Sequence, residues 1–184
     1  NTMVTPPPPN TFSSATSTRI LGVDTALRCT GYGVIEGDGH HYKVLDCGVI
    51  RNRREAPLSA CLGALSGGMA ELIKLYEPMA AAIEGGFYFR NAKTAMILGM
   101  ARGAIVTALT AAEKPVYEYA PRRVKQAVCG YGNAGKQQVA LLMSNILNID
   151  TAAIPHDATD ALALAVCHIQ TARNAIGIQL PTAL

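Results

Sequence analysis

Three short apolar strands follow one another near the start of the chain, and this order restricts the possible fold more than any other feature. The strands are predicted at Ile20–Asp24, Thr30–Glu36 and Tyr42–Ile50. The Glu-Gly-Asp-Gly segment at 36–39 is typical of a hairpin between the second and the third strand. Because the links are short, the three strands are expected to run antiparallel.

The pattern then changes to alternating helices and strands. Pro78 and Pro115 interrupt it, and Gly67-Gly68 weakens the first helix. The predicted elements are a helix at Leu58–Tyr76, a strand at Met79–Glu84, a helix at Ala92–Ala112, a strand at Val116–Tyr119, and further helix from Pro121 to about Arg173. The sequence therefore predicts an α/β fold with a mixed sheet and flanking helices.

Length and composition suit one compact domain. The chain has 184 residues, of which 49% are hydrophobic and 16% are charged. Residues 1–18 carry no charge and contain four consecutive prolines, so we expect a flexible tail there, a domain over 19–175 and a second tail over 176–184. Since neither a secretory signal nor an unbroken apolar stretch of transmembrane length is present, we expect a cytoplasmic protein without membrane association.

The spacing of the cysteines argues against disulfide and zinc sites, whereas the distribution of charge leaves nucleic-acid binding open. The five cysteines are odd in number and never form a CxxC pair, which fits neither a disulfide framework nor a zinc site; most are expected to be buried thiols. The net charge of +3 alone does not indicate nucleic acid. Two basic clusters are either a solvated face or a nucleic-acid contact: Arg51, Arg53 and Arg54, and Arg122, Arg123 and Lys125.

Four carboxylates stand at the ends of predicted elements. Asp24 and Glu84 each end an apolar strand, and Asp157 and Asp160 open a helix after Pro155. A three-residue spacing leaves Asp157 and Asp160 about 60° apart around the helix axis, so they share one face. The alternatives are that Asp157 caps the last helix, that Asp160 is only a favourable charge in its first turn, and that Asp24 starts a turn with Thr25.

Four carboxylates in one cleft would repel one another unless cations lay among them. Mg²⁺ prefers oxygen ligands, and two such ions about 4 Å apart can hold the attacking and the leaving oxygen of a phosphodiester. The acids therefore favour a metal-dependent phosphodiesterase.

Two other enzyme classes fit the sequence less well. The segment Gly130–Lys136 matches the phosphate-binding pattern GxxxxGK, but Gln137 stands where Ser or Thr is required, and a helix is predicted before it instead of a strand. Actin-like sugar kinases also open with an Asp-bearing strand and a hairpin, but they need two such domains, whereas this chain has room for one.

Four blocks of the chain, at 20–35, 71–103, 116–139 and 155–168, closely resemble segments of the bacterial RuvC Holliday-junction resolvases. The resemblance spans Arg19 to about Arg173. It implies a ribonuclease H-like fold with a five-stranded sheet and a homodimer that nicks four-way DNA junctions in pairs, leaving 5′-phosphate and 3′-hydroxyl ends. It also implies cooperation with the RuvA and RuvB branch-migration proteins.

The resemblance further implies which residues act. The catalytic and metal-ligating positions correspond to Asp24, Glu84, Asp157 and Asp160. These acids are expected to hold two Mg²⁺ ions in each active site, and Mn²⁺ is expected to substitute for Mg²⁺. The expected DNA contacts are Phe87, Arg90, Lys93, Arg122, Lys125 and Lys136, with Arg123 a weaker candidate. For Phe87, folding back under its loop is the alternative.

Three positions depart from the family pattern, and a fourth, His156, has two interpretations. Thr25-Ala26 replaces Pro-Gly, and Gly85 stands where a second acid often follows the catalytic glutamate. His156 could lie near the metal or face water. A junction-binding protein without cleavage activity is the alternative function, although the intact set of four acids argues against it.

Overall fold

The computed structural model describes residues 17–85, 91–174 and 182–184. Five strands and five helices make up the described part. They are β1 (Thr18–Asp24), β2 (Cys29–Gly37), β3 (Tyr42–Arg51), α1 (Leu58–Tyr76), β4 (Ala80–Glu84), α2 (Ala92–Ala111), β5 (Val116–Tyr119), α3 (Pro121–Cys129), α4 (Lys136–Leu147) and α5 (His156–Asn174), with a 3-10 turn at Thr151–Ala153 before α5.

The strands form one mixed sheet in the order β3-β2-β1-β4-β5. β1, β2 and β3 pair antiparallel, whereas β4 pairs parallel to both β1 and β5. The predicted antiparallel start and mixed five-stranded sheet are confirmed. The parallel pairs follow from the helices α1 and α2, which carry the chain back to the same end of the sheet before each new strand.

Helices cover both faces of the sheet, and the alternation of side chains along the strands divides the core in two. On one face, Leu21, Val23 and Ile83 pack with Leu65 of α1 and Ile105 of α2. On the other face, strand residues including Ile20 and Ile35 pack with α3, α4 and α5. Both strand faces are therefore apolar, as expected for a sheet between two helical layers.

Observed element boundaries lie close to those predicted. β1 begins at Thr18, within the segment expected to be tail, β4 begins at Ala80, and α2 ends at Ala111. α1 continues through Gly67 and Gly68, because packing of its apolar face outweighs the low helix propensity of glycine. Residues 1–16 and 176–181 of the expected tails lie outside the described residues. In the described end of the second tail, Leu184 donates its backbone N–H to the oxygen of Val116 at 3.0 Å.

The expectation that most cysteines are buried needs correction. Only Cys61 and Cys167 are buried. Cys29 and Cys129 lie at the ends of β2 and α3, and Cys47 lies in the edge strand β3, so these three are partly exposed. Helices α1 and α2 are long and apolar enough to span a membrane by length and composition alone. In the fold they pack on the sheet and on each other.

Three glycines on one face of β1 and β2 let α5 approach the sheet backbone closely. A Cβ atom at Gly22 would overlap the carbonyl oxygen of Ala161, and one at Gly31 would overlap the carbonyl of Asp157. At Gly33 it would come within 2.6 Å of the Leu162 side chain. These glycines therefore set the distance between α5 and the sheet.

Candidate active site

The acids at the strand ends meet at one edge of the sheet. β1 and β4 are parallel neighbours, with Val23 paired to Ile83, so the next residues, Asp24 and Glu84, lie side by side where the strands end. Apolar residues precede both acids and anchor the strands in the core. The carboxyl ends of parallel strands are a common location for ligand sites in α/β proteins.

The first turns of α5 bring the other two acids to the same edge. α5 begins at His156, so Asp157 and Asp160 lie inside the helix, one turn apart, and not at an N-cap position. The close approach at Gly31 holds the backbone of Asp157 against β2, next to Asp24, which pairs with Gly31. Asp157 therefore lies in the first turn of α5 and not at its N-cap, which corrects the interpretation of Asp157 as a helix cap.

Three of the acids line a cavity of about 340 Å³ together with two lysines. Asp24, Glu84 and Asp160 stand on one part of its wall, and Lys125 of α3 and Lys136 of α4 complete it. The remaining lining residues are Pro121, Val124, Val139, Ala163 and Leu164. The carboxylates repel a phosphate group, and the two lysines attract it. Binding of a phosphate among the acids therefore requires additional positive charge, such as a bound cation.

Burial and mutual repulsion raise the pKa values of these acids. For Asp24, burial, followed by the charges of Asp160, Glu84 and Asp157, raises the pKa from 3.8 to about 7. Burial is also the main cause that raises the pKa values of Glu84 and Asp160, and the charges of Lys125 and Lys136 oppose it. Near neutral pH the cluster therefore tends to take up a proton or a cation.

The donor set fits a hard divalent cation. Asp24, Glu84, Asp157 and Asp160 offer only carboxylate oxygens, the ligands that Mg²⁺ and Mn²⁺ favour. Within residues 17–85, 91–174 and 182–184, no three His, Cys, Asp or Glu side chains already stand in a ligating geometry.

Arg102 is a site residue that the sequence analysis missed. Its Nη1 donates to the backbone oxygen of Glu84 at 2.7 Å, and its Nη2 lies 2.6 Å from Oε1 of Glu118. The side chain is only 18% exposed, so these contacts fix the end of β4. Arg102 is the only charged residue in the largely apolar segment 95–109 of α2, and this isolated charge is the sequence signal that could have identified it.

The region around Gly85 explains one departure from the family pattern. Gly85 donates its backbone N–H to the oxygen of Tyr119 at 3.0 Å. A Cβ atom at position 85 would lie 2.8 Å from Oε1 of Glu118, the partner of Arg102. A second acid at position 85 would therefore crowd this ion pair.

Two further groups lie beside the acids, and the sequence analysis assigned neither of them a role in the site. The thiol of Cys29, at the start of β2, lies beside the Asp157 carboxylate, and burial, followed by a hydrogen bond to that carboxylate, raises the pKa of the thiol. Thr25 is buried, and its hydroxyl has no hydrogen-bond partner among the described residues. The loop after Asp24 is closed by Thr30, whose hydroxyl donates to the oxygen of Ala26.

Other predicted site residues lie outside the cavity. Arg122 packs over Gly132, where an added Cβ atom would overlap its side chain, and Nη2 of Arg123 lies 3.4 Å from Oγ1 of Thr171. Lys93 is exposed in the first turn of α2, and His156 is exposed at the start of α5. Phe87 and Arg90 lie outside the described residues.

Gly130–Lys136 does not form a phosphate-binding loop of the nucleotide-binding type. It connects α3 to α4, so the required strand before the glycines is a helix. The N-terminal turn of α4 is closed by Gln138, whose Oε1 accepts from the N–H of Gly135 at 3.0 Å. Lys136 is the first residue of α4 and faces the acids.

Comparison with known proteins supports one family throughout. A family model described as crossover junction endodeoxyribonuclease RuvC matches residues 20–168. The RuvC of Pelotomaculum thermopropionicum is 42% identical over 81% of this chain and 91% of its own, and that of Halorhodospira halophila is 46% identical over 82% and 89%.

A solved structure agrees with the sequence relatives. It is described as Thermus thermophilus RuvC in complex with a Holliday junction substrate, and it superposes with a TM-score of 0.83 at 31% identity. The match covers 91% of this chain and 99% of the other. The fold is therefore ribonuclease H-like, and the chain belongs to the RuvC family of crossover junction endodeoxyribonucleases.

Proposed function

We propose that this protein resolves four-way DNA junctions by paired, symmetric hydrolytic nicks that leave 5′-phosphate and 3′-hydroxyl ends. The observation that supports this most is the meeting of Asp24, Glu84 and Asp160 in one cavity whose rim carries Lys125 and Lys136. Family membership supplies the reaction class and the DNA substrate. In this proposal residues 19–175 form the nuclease domain, and 1–18 and 176–184 are tails.

The four acids are proposed to be the catalytic and metal-ligating residues. Asp24 and Glu84 extend from adjacent strands, and Asp157 and Asp160 extend from α5. Their all-oxygen donor set suits two Mg²⁺ ions, and Mn²⁺ is expected to substitute. When bound, the metal supplies Lewis-acid polarisation of the scissile phosphate and of the attacking water.

The residues of the chain position the reacting groups. Lys125 and Lys136 attract non-bridging phosphate oxygens to the rim of the cavity, and the acids orient the attacking water. The water oxygen bonds to phosphorus as the bond to the 3′ oxygen breaks, and a proton is transferred to that oxygen. Cys29 and Arg102 act indirectly, because they hold Asp157 and the backbone of Glu84.

The proposed partners are a second copy of the chain, the junction, and RuvA and RuvB. Two symmetric nicks require two active sites related by a two-fold axis, which a homodimer provides. Phe87, Arg90, Lys93, Arg122, Lys125 and Lys136 remain the proposed DNA contacts outside the acids. The proposed location is the cytoplasm, without membrane association.

The proposed function is tested by incubating the protein with a synthetic four-way junction, with Mg²⁺ and with a chelator. We expect paired nicks in Mg²⁺ and intact but bound junction in the chelator. Glu84→Gln should abolish nicking and retain binding, because it removes a metal-ligating charge and few phosphate contacts. Binding without nicking under all metal conditions would instead establish the non-cleaving, junction-binding alternative.

A further inference from the structure

A second basic surface lies at the same sheet edge as the acids, beyond the cavity. It is the segment Arg51–Arg54, named here the arginine loop, which contains Arg51 at the end of β3 and Arg53 and Arg54 directly after it. All three arginine residues are exposed. In the described part of the chain, none of them forms a salt bridge, including with the neighbouring Glu55.

The arginine loop has a fixed backbone. Arg28 donates from Nη1 to the oxygen of Arg53 at 2.5 Å and to that of Ala56 at 3.1 Å. Asn52 donates from Nδ2 to the oxygen of Leu27 at 2.7 Å and from its backbone N–H to the oxygen of Arg28 at 3.0 Å. The loop is therefore held by backbone carbonyls and by Asn52, which leaves the three guanidinium groups uncommitted.

Strand pairing places the arginine loop beside the acids. Arg51 pairs with Cys29 of β2, and side chains of paired residues lie on the same face of a sheet. Cys29 hydrogen-bonds to Asp157, so Arg51 lies on the face that carries the start of α5. Adjacent strands are about 4.8 Å apart, which puts the end of β3 roughly 10 Å from the end of β1, where Asp24 lies.

The acids consequently have positive charge on both sides. In the sheet order β3-β2-β1-β4-β5, Arg51 lies at the β3 side of Asp24. Lys125 follows β5 in the chain, and it lies close enough to Glu84 on β4 to act on its charge. A DNA strand that crosses the acids from the two lysines would continue onto the arginine loop.

We propose that the arginine loop binds backbone phosphates of the junction DNA on the side of the acids opposite Lys125 and Lys136. This inference rests on the proposed junction-cleaving function and adds a binding surface to it. Exposed, unpaired arginine on a fixed loop favours phosphate, because guanidinium can donate two hydrogen bonds to one phosphate group and loses little freedom on binding. Such contacts position the duplex without reading its sequence.

The test compares the triple variant Arg51→Gln, Arg53→Gln and Arg54→Gln with the unchanged chain. Binding of a fluorescent four-way junction is measured by anisotropy in chelator over a range of KCl concentrations. Each lost phosphate contact should lower the log-log salt slope by about 0.9, and the affinity should fall about tenfold or more. The substitutions remove no contact that holds the loop, so the Tm should be unchanged.

Lys74→Gln is the matched control. Lys74 is exposed in the last turn of α1, and this end of the helix contacts Arg19 at the start of β1, on the opposite edge of the sheet. It should leave the salt slope unchanged. If the triple variant unfolds, Arg54→Gln alone is measured, with an expected decrease in slope of about 0.9.

The outcomes separate the two proposals. If the unchanged chain neither binds nor nicks the junction, the proposed function fails. A different result would overturn the inference about the arginine loop. In that result, the unchanged chain binds and nicks the junction, while the arginine variants keep its affinity and its salt slope, or lose no more affinity than Lys74→Gln does.

Discussion

Asp24 is expected to be needed for cleavage, but its ionised form destabilises the metal-free fold. It is partly buried at the end of β1, between β2 and β4, and lies near three other carboxylates. Burial and the charges of Asp160, Glu84 and Asp157 raise its pKa to about 7. Raising the pKa of an acid on folding means that the ionised form destabilises the native state. In the absence of a cation, the residue expected to be essential for cleavage therefore costs stability.

We predict that Asp24→Asn abolishes junction nicking and stabilises the metal-free protein at alkaline pH. Because folding raises the pKa of Asp24, the protonated carboxyl contributes stability that is complete below the unfolded pKa of 3.8. This contribution is lost as the pH rises through the folded pKa of about 7, where Asp24 ionises in the native state. The amide avoids this loss, so the free energy of unfolding should increase by about 1–3 kcal/mol at pH 8, and the increase should vanish near pH 4.

Denaturant unfolding in chelator at several pH values checks this prediction. A variant that nicks junctions, or that is less stable than the unchanged chain at pH 8, would contradict it. Addition of Mg²⁺ should stabilise the unchanged chain more than the variant, because the variant lacks one ligand charge.

Among single residues, the sequence was sufficient to identify the acids, but not the residues that hold them in place. Asp24 and Glu84 could be found because each ends an apolar strand, and strand length depends on local pattern. Arg102 and Cys29 could not be assigned, because their contacts depend on the rotation of α2 and on the pairing of β2 with its neighbours. Phe87 and Arg90 remain predictions.

The packing of α5 is the main determinant of site geometry among the elements. Gly22 and Gly31 bring the helix against the backbone of β1 and β2, at positions where a side chain would overlap helix carbonyls. The sequence predicted the two strands and the helix, since their apolar patterns are local. It could not predict that these glycines face α5, because that contact joins segments far apart in the chain.

We predict that Gly31→Ala weakens the metal dependence of cleavage in addition to lowering stability. The new methyl group would push the first turn of α5 outward and displace Asp157, whose carbonyl it would overlap. Overpacking of this kind costs about 1–3 kcal/mol. The Mg²⁺ concentration for half-maximal nicking should rise several-fold in the folded protein.

Gly33→Ala is the matched control for this prediction. A methyl group at position 33 would meet the side chain and the Cα atom of Leu162, five residues after Asp157 in α5, and not the backbone of one of the acids. It should lower the Tm modestly and keep the Mg²⁺ dependence of nicking. Equal Mg²⁺ dependence in both variants would show that Gly31 serves stability alone.

For the whole molecule, we propose that α2 is the surface on which a second copy of the chain packs. Ala101, Ile105 and Leu109 face the sheet, but Met96 and Met100 are 59% and 41% exposed. Added Cβ atoms at Gly99 and Gly103 would meet nothing within 4 Å, so the outer side of the helix has room for close helix packing. Apolar exposure of this kind in a junction resolvase favours a dimer interface.

We predict that Met100→Glu converts the protein to a monomer at micromolar concentration and replaces paired nicks by single ones. A charge at the centre of an apolar interface is costly to bury, whereas the same charge on an isolated chain faces water. The Tm of the monomer should change little. Sedimentation and two-strand labelling of the junction measure both effects.

Leu141→Glu is the control, since Leu141 is 63% exposed on α4, away from α2. It should remain dimeric. A dimer that persists in Met100→Glu would remove α2 from the interface, and paired nicking by an unchanged chain that sediments only as monomer would contradict the dimer itself.

The position of α5 also determines when the molecule can act during its own synthesis. It packs on all five strands, yet it is the last helix of the described chain to leave the ribosome. A nascent chain that ends before it carries Asp24 and Glu84 but lacks Asp157 and Asp160. Incomplete or C-terminally truncated copies should therefore be unable to cut DNA, so the cell would meet this nuclease only in its finished form.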